Sequence, residues 1–179
     1  MVDFKGEKRS NVTHQSSTDP EAKLMRKGNG QPAKLSFGAH ALMENRSGLL
    51  VDIDITDATL YEPKAAAPML DRRRRDRQGM STLGADKGYF NKAFVALLRR
   101  RGIAPHIARI ESRRAPGLDG RTTRHEGYAT SQRKRKRIEE IFGWMKSVGG
   151  LRKSRFVGIV KTQLAAYMVG AAYNLLRMA

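Results

Sequence analysis

Between Lys34 and Thr56 apolar and polar positions alternate in two runs, "KLSFGAHALM" and "LLVDIDIT", joined by "ENRSG". Period-two alternation predicts strands, and a link holding Asn45 and Gly48 predicts a tight turn, so Lys34–Met43 and Leu49–Thr56 are expected to form an antiparallel hairpin. Residues 1–33 show neither period and are rich in Ser, Thr, Lys and Gly, which reads as an extended polar lead-in to one domain over 34–179. Downstream, "YEPKAAAPMLDRRRR" has alanines that favour helix, while Pro63 and Pro68 restrict its start, and a short helix near 63–72 follows. A third strand is expected in "STLGAD", ending at Asp86. The run "NKAFVALLRRRG" then reads as a helix capped by Asn91 and stopped at Gly102, and "IAPHIA" as a short fourth strand. Residues 108–130 read as a long charged loop, 131–148 as a helix ended by Gly149-Gly150, and 161–177 as a last helix, apolar almost all round and expected to be buried. Such an alternation predicts an α/β domain, a mixed sheet with flanking helices.

Charge narrows the partner. Lys and Arg number 35 against 17 Asp and Glu, a net charge of +18, which attracts polyphosphates and makes nucleic acid the first expectation. The cations run from end to end rather than along one amphipathic helix, the longest apolar run, "LAAYMVGAAYNLL", is too short to span a bilayer, and the first residues carry no apolar signal core. A membrane partner is not expected, and a cytoplasmic, nucleoid-associated setting is. With no cysteine there is neither a disulfide framework nor a thiolate metal site, and the histidines His14, His40, His106 and His125 show no ligand spacing.

Against this basic background, "RKRKRIEEIFGWMK" at 133–146 keeps two adjacent glutamates. On a helix Arg135, Glu139, Phe142 and Lys146 stack along one face beside the apolar stripe of Ile138, Ile141 and Met145. Glu140 points elsewhere and can pair with Lys136 as ordinary surface charge. Glu139 is left either in an ion pair with Arg135 or at the border of a site. The second carboxylate of interest is Asp86 in "LGADKGYF", which closes a strand where open sheets place their ligands, or else simply caps a turn.

The segments "DFKGEKRSN", "TDPEAKLMRKGNG", "AHALMENRSGLLVD", "LGADKGYF", "RKRIEEIFGWMKSVGGLRKSRF" and "AAYNLLR", in this order over nearly the whole chain, resemble the carboxyl-terminal part of bacterial insertion-sequence transposases of the DDE type, families four and five. That family carries a late pattern of Tyr, two residues, Arg, three residues, Glu, six residues, Lys. Arg135, Glu139 and Lys146 meet its last three elements, whereas Gln132 stands where the pattern has Tyr. Asp86, followed by Gly88 and Tyr89, corresponds to the family's second aspartate. The resemblance implies a ribonuclease-H-like fold with a mixed five-stranded sheet, and carboxylates, here Asp86 and Glu139, holding two Mg²⁺ or Mn²⁺ ions for phosphoryl transfer on DNA. Arg135 and Lys146 would stabilise charge beside that site. The runs Arg72, Arg73, Arg74, Arg75 and Arg133, Lys134, Lys136, Arg137, together with Lys153, are candidate DNA contacts at transposon ends and target DNA, or else solvated faces.

The family's first aspartate and first strand should precede "DFKGEKRSN", so the reading expects an amino-terminally truncated transposase whose hairpin is left with an unpaired edge. Asp3, Asp52, Asp54 and Asp57 do not match the missing motif. Self-association, or association with a full-length transposase, is expected. Two other classes stay open: a basic nucleic-acid-binding remnant without chemistry that interferes with full-length transposase, and a ribosome-associated basic protein, which leaves the apolar last helix unexplained.

Overall fold

The computed structural model describes residues 10–26, 28–75, 80–110 and 118–179, except the side chains of Arg74 and Arg75. Strand β2, Lys34–Met43, pairs antiparallel with β3, Leu50–Asp57, and the Glu44 carboxylate closes their turn by accepting from the backbone of Arg46 and Ser47. The lead-in adds a strand that lacks any sequence period: β1, Lys23–Met25, pairs with the first residues of β2, and the Asn11 side chain both donates to Leu24 O and accepts from Leu24 N. In β3 the alternation of Ile and Asp sorts the two sheet faces. Ile53 and Ile55 are buried against the carboxyl-terminal helices, while Asp52 and Asp54 meet Arg72 of α1, Glu62–Arg75, across the other face.

Strand β4, Thr82–Ala85, runs parallel to β5, Ala104–Ile107, with α2, Lys92–Arg100, as the crossover. Asn91 caps α2 by accepting from Phe94 N, as its sequence position predicts. Helix α1 runs longer at both ends than expected and contains Pro68, which merely removes one bond to the preceding turn. Among the described residues the strands form a three-stranded antiparallel sheet and a separate parallel pair, not one continuous mixed sheet. Each has its own core. Leu70, Phe94, Leu98 and Ile107 centre one around β4 and β5; Ile53, Ile141, Met145 and Tyr173 centre the other under the hairpin.

Within the expected loop over 108–130 the described residues include two helical segments: α3, Gly120–Thr123, and the start of α4, Glu126–Lys134. The helix expected over 131–148 is two helices, α4 and α5, Arg137–Ser147, joined at Arg135 and Lys136 by tighter bonds from Ile138 N to Arg135 O and Glu139 N to Lys136 O. Arg135 closes α4 and Glu139 lies in α5, so the two do not sit on one continuous helix as expected.

Helix α6, Ile159–Met178, departs most from expectation, for only one face is buried, through Thr162, Ala166, Gly170 and Tyr173. Gly170 permits that approach, since a Cβ there would lie 2.5 Å from Leu50 Cδ2. Helix α6 also answers the expectation of an unpaired hairpin edge. Gln163 donates to Ile53 O and accepts from Ile55 N, and Asn174 does both for Leu50, so side-chain amides take the place of a neighbouring strand along β3. At its other end α6 starts on Gly158, which has no capping side chain. Asp19 and Glu21 of the lead-in supply it, accepting from Gly158 N and Ile159 N. No helix of the described residues is long and apolar enough to cross a membrane.

Candidate active site

Asp86 leaves β4 in extended conformation and caps the short 3₁₀ turn Lys87–Tyr89, its Oδ1 accepting from Gly88 N at 2.8 Å. This is the turn role open from the sequence, but it leaves the carboxylate exposed at the carboxyl end of the parallel pair. A second carboxylate shares the place. A Cβ at Gly88 would lie 3.0 Å from Asp86 Oδ1 and 3.7 Å from Glu62 Oε2, so glycine keeps open a point that both acids border. Burial pushes the Glu62 carboxyl above its usual range, and the nearby Asp86 charge pushes it further. Behind them Tyr89 packs on Phe94 with ring centroids 5.2 Å apart, its hydroxyl held far above the usual phenol range by burial and then by Glu62 and Asp86. Tyr61 completes the rim, its hydroxyl accepting from Asn91 Nδ2. Sequence reasoning missed Glu62, because an acid in the first turn of a helix looks like ordinary dipole complementation.

The end of α4, just before the helix that carries Glu139, meets β4 close by. A Cβ at Gly84, two residues before Asp86, would lie 3.5 Å from both the Ser131 carbonyl oxygen and Arg135 Cβ. Gln132, which occupies the family's tyrosine position, fastens this joint by donating to His106 O of β5 and accepting from Arg135 Nε at 2.9 Å. His106 strengthens it from within the core, its Nδ1 2.7 Å from Ser131 Oγ. Arg135 is thus bound to Gln132, and Glu139, exposed in the first turn of α5, has no hydrogen-bond or ion-pair partner among the described residues. The ion pair considered between them is not formed. Glu140 does take an ion pair, but with Arg177 at 2.9 Å rather than with Lys136. Lys146 lies exposed with its ammonium 5.9 Å from the Phe142 ring centroid.

The candidate DNA contacts divide. Arg72 is committed to the fold, 3.0 Å from Asp52 and 3.3 Å from Asp54, and Arg137 donates to the carbonyls of Asn45 and Arg46 in the hairpin turn. Arg73 lies half-buried on α1, and the side chains of Arg74 and Arg75 fall outside the described set. Arg133, Lys136 and Lys153 are exposed and Lys134 is half-buried. Asp52 and Asp54, the weak substitutes for a first aspartate, share Arg72 as their ion-pair partner, and Asp3 lies outside the described residues.

A family model described as Transposase DDE domain matches residues 9–175. The chain belongs to that family. No curated protein and no solved structure matches it significantly. The mixed helix-and-strand architecture is compatible with that domain. For a metal the donors near Asp86 are of the right kind, hard carboxylate oxygens, yet no group of three or more His, Cys, Asp or Glu among the described residues is placed to hold an ion. By themselves the described residues do not fit a two-ion site.

Proposed function

We propose that this transposase domain binds DNA and contributes Asp86 and Glu139 to a Mg²⁺- or Mn²⁺-dependent site for strand cleavage and transfer, within a ribonuclease-H-like arrangement related to insertion-sequence families four and five. The observation that carries the reading is the meeting of β4 with the α4–α5 joint. It sets the exit of the strand bearing Asp86 against Arg135, four residues before a glutamate whose carboxylate has no ion-pair partner among the described residues. A carboxylate with no cationic partner among the described residues, in a chain of net charge +18, is a candidate for a role other than holding the fold. Arg135, held by Gln132, would meet a phosphate beside Asp86, with Lys146 further along α5. Arg133, Lys134, Lys136 and Lys153 would bind the DNA backbone by charge.

A second reading is favoured by the absence of a three-acid group among the described residues: a basic DNA-binding protein without chemistry of its own, which would compete with an intact transposase for DNA or for its subunits. One experiment separates the two. Plasmid nicking in Mg²⁺ or Mn²⁺ is measured for the chain, Asp86→Asn and Glu139→Gln, beside salt-dependent DNA binding. Metal-dependent nicking lost in both variants supports the catalytic reading; no nicking, with binding the same in all three, supports the second. Nicking that survives both substitutions refutes the assignment of these two acids.

A further inference from the structure

The outward face of α6 is apolar from Leu164 to Met178 in a strongly basic chain. Leu164, Met168, Leu175 and Met178 are 62 %, 67 %, 66 % and 62 % exposed, and with the exposed Lys161 and Ala171 they recur at alternating steps of three and four residues. That is the seam spacing of two helices packed side by side, whereas the face bound to β3 uses other positions. We propose that α6 joins two copies of this chain as an antiparallel, two-fold symmetric pair.

The pattern suits that partner and that direction. A two-fold axis midway between Met168 and Ala171 sets Leu164 of one copy opposite Leu175 of the other, Met168 opposite Ala171, and Tyr167 opposite Ala172. Each bulky residue at the centre therefore meets a small one, which lets two such helices approach closely. Charge selects the same direction. Lys161 is the one charged member of the seam, because Arg177 turns inward to Glu140 and Ser47 O. A parallel pair would set the two Lys161 side by side. The antiparallel pair sends each to the partner's carboxyl end, where the helix dipole favours a cation and Met178 receives the aliphatic stem. A face of this length, about 30 Å, with side chains standing clear of it, offers several hundred Å² per copy, the order a small stable interface needs.

The test uses the full chain, treated with nuclease, in light scattering at tens of micromolar and at high salt, where an apolar seam persists and DNA bridging does not. A dimer is expected. Leu175→Glu should raise its dissociation constant at least about a hundredfold by setting a carboxylate in the seam, and Val148→Glu, equally exposed but just past the end of α5, should leave it unchanged. Because the chain has no cysteine, orientation is read by mixing Leu164→Cys with Leu175→Cys chains and oxidising. Disulfides linking the two different variants are expected to dominate. A monomer at these concentrations, a dimer indifferent to Leu175→Glu, or predominant links between identical variants would each overturn the proposal.

Discussion

Asn174 is predicted to hold the carboxyl-terminal helix to the hairpin out of proportion to its size. Its amide makes two hydrogen bonds to Leu50, 2.8 Å to the N–H and 2.8 Å to the carbonyl, on a strand edge with no other partner there. Truncation in Asn174→Ala leaves both backbone groups unpaired, at about 1–3 kcal/mol each where water is excluded; Asn174 is half-exposed, so the lower figure applies and about 2 kcal/mol is lost. Alanine's better helix propensity returns roughly 0.5 kcal/mol, for a net cost near 1.5 kcal/mol. Gln163→Ala exposes the edge at Ile53 and Ile55, which are 2 % and 7 % accessible, and should cost more, about 2–3 kcal/mol, because water reaches that edge less easily. The two sites lie about 16 Å apart along the helix, so the double variant should show their sum. The assay is urea unfolding at fixed protein concentration, followed by the fluorescence of Trp144, the sole tryptophan, whose ring centroid lies 5.6 Å from that of Tyr173 beside the perturbed contact. Leu176→Ala, at an exposed position of the same helix, serves as the control and should cost only a few tenths of a kcal/mol. Costs below about 0.5 kcal/mol for both amide variants would refute the reasoning and mean that water replaces the side chains at no loss.

Further predictions separate charge that holds the fold from charge that meets DNA. Arg72→Ala, which strands Asp52 and Asp54, should cost about 2 kcal/mol in urea unfolding and leave the salt slope of DNA binding unchanged, whereas Arg133→Ala or Lys136→Ala should lower that slope by about 1 each with stability intact. Glu62 has its proton held more tightly in the folded state, so the folded chain binds more protons through the upper carboxylate range and stability falls as pH rises through it. Glu62→Gln is therefore expected to stabilise the chain at about pH 8 and not at about pH 4, compared by urea midpoints. His106 is shifted the opposite way, below its ordinary value by burial and then by His125, so below the usual histidine range the unfolded chain binds the extra proton and stability declines as pH falls. An NMR titration should show the His106 ring staying neutral below the range of a free histidine.

How much of this was legible follows from which signals are local. The hairpin came from period two and a turn, and α2 from Asn91 and Gly102, because each element carries its own pattern and its own stops. Strand β1 has three residues and no period; it exists through Asn11 and through pairing with β2, neither of which a window of sequence contains. The break at Arg135 and Lys136 has no glycine or proline to announce it. It arises where Gln132 and Ser131 fasten α4 to β5, a contact between positions some 25 residues apart. Asp86 and Glu139 were singled out by strand-end position and by spacing, while Glu62 was invisible because only the fold brings it beside Gly88.

Several of the motifs that carried the resemblance hold the fold together. Asp19 and Glu21 of "TDPEA" cap α6, Asn174 of "AAYNLLR" seals β3, and Arg177 of the same motif binds Ser47 O and Glu140, so two motifs far apart in sequence converge on one helix and its attachment to the hairpin. A helix apolar on nearly every face has no amphipathic preference to orient it, and polar anchors at both ends and along one edge supply what the hydrophobic pattern lacks. The same lack of pattern leaves the opposite face bare. Anchoring α6 through side-chain amides rather than through a second apolar layer frees its seam for another copy of the chain, and holds that seam at a fixed angle to the hairpin. If the pair forms as proposed, substitutions at Asn174 or Gln163 should weaken dimerisation as well as folding, although neither residue lies on the seam.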